Sequence, residues 1–180
     1  VTEGRDLGGD RAARGTTRRA THAERTKATS RIFGAVGAKL RRLKLRKRRG
    51  VTHQGPGAAL MYGAVMHGLA PTAMTTARRR YAQALRRAWP GRCLTSFLAL
   101  EGEDPGISVV RRQLNAWFDV WDKSEDQRPQ IRRAWAKVYF RLKAQPEEKR
   151  WKQRRGVMGS IILTLWELGW DTRGPDDWID

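Results

Sequence analysis

Three runs of bulky residues constrain the fold of this chain most. Ile107, Val110, Leu114, Trp117, Phe118 and Trp121 recur at spacings of three and four. Ile131, Trp135, Val138, Tyr139 and Leu142 do the same, as do Val157, Ile161, Leu165 and Leu168. That period puts each run on one side of an α-helix and leaves the other side polar. Strand-like alternation is scarce outside a few residues near the N-terminus. The expected fold is mainly α, an irregular bundle of five to seven helices on short turns, with no tandem repeat of fixed period. The helical spacing of the Trp residues favours core packing over stacking on bases.

The charge is the second constraint. The 180 residues carry 37 Lys and Arg against 18 Asp and Glu, a formal net charge of +19. A charge so far from zero suits a polyanionic partner. Residues 1–50 hold 16 cations and four acids, and the densest run, residues 39–49, holds eight cations in eleven positions. The acids gather late, at Glu101, Glu103 and Asp104 and again at Asp171, Asp176, Asp177 and Asp180. Residues 1–30 contain no Trp, Tyr or Phe, and a flexible basic arm is expected there, ahead of a helical domain over 31–180. The chain begins on Val1 and not Met, so a processed, trimmed or fragmentary chain is expected.

Local signals place the helices. Thr29 or Ser30 caps a first helix, on which Ile32, Val36, Leu40 and Leu43 share a face and which Gly50 stops. Gly55-Pro56-Gly57 predicts a turn. Pro71 opens a second helix lined by Met74, Ala77, Tyr81, Ala84, Leu85 and Ala88, with Arg78, Arg79, Arg80, Arg86 and Arg87 around it. That helix ends at Trp89-Pro90-Gly91. Residues 94–100 suit a short helix, followed by a solvated acidic loop over 101–106.

Most catalytic chemistry has no foothold. No Gly-rich loop ends in Lys-Ser or Lys-Thr, so a nucleotide phosphate loop is not expected. The single Cys93 excludes an internal disulfide and reads as a small buried packing residue. His22, His53 and His67 are scattered, and His67, which follows an apolar segment, lacks a nearby Cys, Asp or Glu to complete a metal site. No cofactor is implied, no catalytic residue emerges, and no run of 18 apolar residues exists to cross a membrane.

The basic run is the strongest functional signal. Its cations alternate with Leu40, Leu43 and Leu45, so one face can be buried while the other meets phosphates. The candidate nucleic-acid-binding residues are Lys39, Arg41, Arg42, Lys44, Arg46, Lys47, Arg48 and Arg49, with Arg78, Arg79 and Arg80 as a second surface. A solvated helix face or a nuclear-import signal is the competing reading of the run.

Several short blocks resemble a known family. Asp6-Leu7-Gly8-Gly9-Asp10 is similar to the Tyr-Leu-Gly segment of non-LTR (LINE-type) retroelement reverse transcriptases, with Asp6 where that family has an aromatic. Ala59-Leu60-Met61-Tyr62-Gly63-Ala64-Val65 resembles their Leu-Tyr-Gly-Ala-Glu segment downstream of the palm, with Val65 at the acidic position. Gly91-Arg92-Cys93-Leu94-Thr95, Leu168-Gly169-Trp170 and Trp178-Ile179-Asp180 resemble blocks in retroelement-like reading frames of dinoflagellate algae. The aromatic-x-Asp-Asp catalytic turn is absent from this sequence. The resemblance therefore implies a thumb or connection region, joined to an upstream polymerase palm and gripping RNA or an RNA–DNA template–primer by its backbone, in the nucleus. Three other readings stand beside it: a stand-alone basic RNA- or DNA-binding protein, such as a ribosome-associated one; a protein-interaction domain with a nuclear-targeting segment; and an independent hydrolase or nuclease.

Overall fold

The computed structural model describes residues 3–5, 10–12, 31–33, 39–40, 42–61, 64–85, 91, 93–101 and 104–177. Arg41, Tyr62, Gly63, Arg86, Arg87, Ala88, Trp89, Arg92, Glu103, the Leu7-Gly8 pair, the capping Thr29 or Ser30 and the block 178–180 lie outside them. The described residues are mainly helical. Within 1–30 they comprise two short strands, β1 (Glu3–Arg5) and β2 (Asp10–Ala12), paired antiparallel with Gly4 opposite Arg11. Helical residues at 31–33 and 39–40 precede nine α-helices among the described residues, two more than the upper expectation. These are α1 (Leu45–Thr52), α2 (Ala58–Met61), α3 (Ala64–His67), α4 (Pro71–Leu85), α5 (Leu94–Glu101), α6 (Pro105–Lys123), α7 (Arg128–Lys143), α8 (Glu147–Gln153) and α9 (Gly156–Glu167).

Periodicity predicts α4 to α7 and α9, and the short α2, α3 and α8 are helices it does not single out. Two punctuation signals are corrected. Gly50 does not stop a helix; α1 runs through it to Thr52. The break comes earlier, in a turn and bend at Arg42 and Leu43, where Arg42 N–H donates to Lys39 O (3.1 Å) and Leu43 N–H to Leu40 O (3.0 Å). Gly55-Pro56-Gly57 is not a loop turn but part of a π-helical turn, His53–Gly57, that leads from α1 into α2. The wider ring tolerates Pro56, which has no N–H to give. A Cβ at Gly57 would lie 2.9 Å from Thr52 O and 3.5 Å from the Tyr81 ring, so glycine lets this turn close on α4.

Three buried clusters hold the molecule. Phe33, Leu40, Tyr81, Ala84, Leu85, Phe97 and Leu98 form one beneath α4 and α5. Met61, Ala64, Leu69 and Val109 form a small junction where α2 and α3 meet α6. The largest gathers Trp117, Trp121, Trp135, Tyr139, Leu142 and the apolar α9 residues Ile161, Ile162, Leu163 and Leu165. α9 packs against α3, α6 and α7, which explains why it is apolar on nearly every side. On α6 the expected stripe is corrected by one phase step. Ile107 is 64% exposed, and the buried line is Val109, Gln113, Trp117 and Trp121. Gln113 belongs on that line because the Thr164 hydroxyl of α9 donates to its Oε1 at 2.8 Å. Leu168, the last member of the α9 stripe, is also exposed.

Candidate nucleic-acid interface

Counting acids rather than cations sharpens the charge map. Between Arg25 and Leu100 the chain has 17 Lys and Arg and no Asp or Glu. Residues 1–24 hold five cations and four acids, and residues 101–180 hold fifteen and fourteen. The net charge of the protein thus sits almost wholly in the stretch that forms α1 to α5, while α6 to α9, around the Trp cluster, are close to neutral. Splitting the chain at residue 50 hid this boundary. The cores follow it, since the Tyr81–Phe97 cluster lies on the basic side and the Trp cluster on the balanced side.

The eleven expected contact residues separate into groups. Lys39, Arg42, Lys44, Arg46 and Lys47 are exposed, around the bend and along the start of α1. No ion pair among the described residues involves them; those present use Arg78, Arg128, Arg132 and Lys143. Arg79 on α4 is also exposed, whereas Arg49 and Arg80 are half-buried. Arg41 lies outside the described residues.

Arg48 is turned inward. Its Nε donates to Leu40 O (2.9 Å), its Nη2 to Leu43 O (2.8 Å) and its Nη1 to Leu85 O. Both Leu40 O, which also accepts the Leu43 N–H, and Leu43 O lie where the chain bends before α1, and Leu85 is the last residue of α4. A helix end leaves carbonyls such as Leu85 O without intrahelical donors. One guanidinium therefore closes two chain ends and ties α1 to α4, a geometry that needs a planar fork of donors. Arg48→Met is expected to cost about 2 kcal/mol in a denaturant melt, since charge-assisted bonds contribute roughly 1.5–3 kcal/mol each but this site is partly solvated. Arg48→Lys should recover little of it.

Arg78 is committed too. Its Nε lies 3.1 Å from Asp104 Oδ1, its Nη2 pairs with Asp104 Oδ2, and the same Nη2 donates to Thr95 Oγ1 at 3.0 Å. Asp104 overturns the solvated-loop expectation, for it is 7% exposed. It is the N-cap of α6, and its Oδ1 accepts the Gly106 N–H at 2.8 Å, with Pro105 following in the first helical position. The Asp-Pro-Gly order carries that signal in the sequence. A Cβ at Gly106 would meet Met74 Sδ at 2.9 Å and Asp104 Oδ1 at 3.1 Å, so a side chain there would have to push the flexible Met74 thioether aside and crowd the cap. Asp104→Ala is expected to lower stability by about 1–2 kcal/mol for the cap, and more where it strands Arg78; a thermal melt of the single and the Asp104→Ala, Arg78→Met double variant measures the coupling.

Cys93 is the last correction. It is exposed, not buried, because α5 begins at the next residue and leaves it as that helix's N-terminal flank. Hydrogen bonds from Ser96 first, and from the Thr95 backbone, draw its thiol below the ordinary range, with Arg78 adding a smaller attraction.

Two concavities open among the described residues, one of them beside Arg78 and Asp104. A groove of about 670 Å³ runs between α4, α6 and the end of α9, past Met74, Ile107, Val110, Leu114 and Phe118. A smaller one, about 240 Å³, lies past the C-terminal end of α9 and is lined by Lys143, Arg150, Trp166, Gly169, Trp170 and Asp171. Reasoning from charge runs missed the second. Arg150 lies in a cation-rich stretch, Lys149 to Arg155, but Lys143, Trp166, Trp170 and Asp171 come from other parts of the chain, and only the Trp166 and Trp170 spacing hints at the hollow.

No known protein family, curated protein or solved structure matches this chain.

Proposed function

We propose that this protein holds nucleic acid by its phosphate backbone, without reading sequence. The observation that carries the reading is the acid-free stretch of 17 cations, whose members Lys39, Arg42, Lys44, Arg46 and Lys47 are exposed and outside every ion pair among the described residues. A surface that only needs solubility mixes its signs, because unlike neighbours relieve self-repulsion. A surface that meets phosphates gains by withholding the acids, since each cation then releases a counterion on binding. The balanced half supplies the packed scaffold, and Arg48 and Arg78 are spent on holding the basic half in shape. Phosphate contacts position a ligand but carry no base identity. No catalytic residue is assigned, and no cofactor.

The more particular setting is the thumb or connection of a retroelement reverse transcriptase, beside its palm, in the nucleus. What supports it is the order of the short blocks along the chain and the mainly helical build.

The test is a salt titration of binding to duplex and single-stranded RNA and DNA of unrelated sequence. The logarithm of the affinity should fall linearly with the logarithm of salt, by about 0.9 per phosphate neutralised on duplex DNA. Unrelated sequences should bind alike. Affinity that ignores salt, or no binding at about 50 mM, overturns the reading. A preference for a primer–template junction over a blunt RNA–DNA duplex supports the thumb setting, and equal binding counts against it.

A further inference from the structure

We propose that the concavity at the C-terminal end of α9 seats one unpaired nucleobase, guanine by preference, on the Trp170 side chain. The class of ligand rests on the nucleic-acid reading above, but the site lies on the balanced half and uses none of the residues of the basic run.

The local backbone explains how the site is built. α9 ends where Gly169 takes φ +83°, which only glycine adopts at ease, and Trp170 N–H donates back to Leu165 O at 2.9 Å. That helix-terminating pattern fixes where the next side chains stand. Trp170 is left 46% exposed beside the hollow, an unusual position for the largest side chain. Trp166, one turn earlier, lines the hollow as well, and the Arg150 guanidinium lies over its ring at 5.0 Å. An indole bordering a cation-flanked hollow is the arrangement with which proteins hold unpaired bases: the ring stacks and the cations meet the phosphate.

The polar groups point to a particular base. Asp171 lines the hollow, its Oδ1 accepting from Tyr139 Oη (2.7 Å) and its Oδ2 from Lys143 Nζ (2.6 Å). Lys143 first, and Tyr139 next, hold its carboxyl below the ordinary range, so it is ionised at neutral pH and accepts only. The Trp166 side chain adds a weaker pull on this carboxyl, and a carboxylate's roughly four lone-pair sites leave room for a further donor. Two acceptors side by side match two adjacent N–H donors, and guanine offers that pair at N1 and N2. Adenine, cytosine and uracil each put an acceptor next to their donor and would set it against the carboxylate. Lys143 donates to Asp171 and Tyr139 and has a third hydrogen for a phosphate oxygen. Arg150 uses Nε on Gln145 O (3.2 Å), leaving its other nitrogens for the same purpose. A volume of about 240 Å³ suits one flat ring and is small for a drug-sized ligand.

The experiment follows the Trp indole N–H signals of the ¹⁵N-labelled full chain during titration with guanosine 5′-monophosphate, uridine 5′-monophosphate and inorganic phosphate. The Trp170 signal should shift saturably with the guanine nucleotide, more weakly with the uridine one, and not with phosphate. Trp170→Ala should weaken guanine-nucleotide binding about tenfold or more, read by calorimetry. Asp171→Asn should bring the two nucleotides to parity, which keeps the idea testable if the Trp variant does not fold. Equal shifts with phosphate alone, unchanged binding by a folded Trp170→Ala, or an unaltered preference in Asp171→Asn each overturn the proposal. Replacing Arg42, Lys44, Arg46 and Lys47 with Gln should leave the nucleotide response intact. Steep salt-dependent polynucleotide binding without any nucleotide response sinks this inference alone; the reverse pattern sinks the backbone-binding reading alone.

Discussion

Trp135→Ala is expected to lower stability by about 3–5 kcal/mol, the usual cost of emptying a large aromatic site in a core. The Trp135 side chain is fully buried, and its ring lies 5.3 Å from that of Trp117 at a tilt of 42°. Around the pair stand Tyr139 and Leu142 of α7 and Ile161, Ile162 and Leu165 of α9. Removing the indole therefore opens a void at the meeting point of three helices, α6, α7 and α9. For a chain of this length the melting temperature should fall by about 6–20 °C. Trp135→Phe should cost much less. It keeps most of the apolar contact and removes a ring N–H that is buried without a hydrogen-bond partner, as is that of Trp117. A melting curve left unchanged by Trp135→Ala, together with lost single-strand binding, would make this Trp a stacking residue instead of a core one.

Replacing Arg42, Lys44, Arg46 and Lys47 together with Gln is expected to have the largest effect on binding. All four are exposed and none enters an ion pair among the described residues, so the fold should persist and the melting temperature change little. If each meets one duplex phosphate, the salt slope should flatten by about 0.9 per residue removed. Between about 50 and 200 mM salt the wild-type loss of affinity should then exceed that of the variant by roughly a hundredfold. The contrast with Arg48 is the informative control. Arg48→Met should move stability and leave the slope close to its wild-type value, because that guanidinium is bound to Leu40, Leu43 and Leu85 carbonyls. An unchanged slope in the four-residue variant would remove the basic run from the binding surface.

The residues that resisted prediction did so for a common reason. Arg46 and Arg48 are two positions apart in one basic run, with the same neighbours in composition, yet one faces solvent and the other closes helix ends. What separates them is Leu85 O, 37 positions away. Arg78 and Arg79 differ in the same way, through Asp104, 26 positions on. Ile107 and Val109 are both apolar and both fit a helical stripe. α3 and the junction around Met61 and Leu69 decide that Val109 is inside. Cys93 followed its residue type in expectation and its place before α5 in fact. Asp104 is different, because Asp-Pro-Gly ahead of an apolar run was a readable cap that charge counting obscured.

Periodicity, charge and helix-start chemistry are local, and they are legible in the amino-acid order alone. They determine that this chain is mainly helical, that α4, α5, α6, α7 and α9 exist, that Trp117 and Trp135 lie inside, and that one acid-free stretch carries nearly all the charge. A repeat of 3.6 residues specifies that a helix has an apolar face but not its phase to within one residue, since neighbouring residues at the edge of a stripe satisfy it equally. Which cation is structural and which is available, and whether Trp170, Asp171, Lys143 and Arg150 share a hollow, depends on partners tens of residues away. Only the packed tertiary structure brings those partners within the few ångströms over which a hydrogen bond or an ion pair acts.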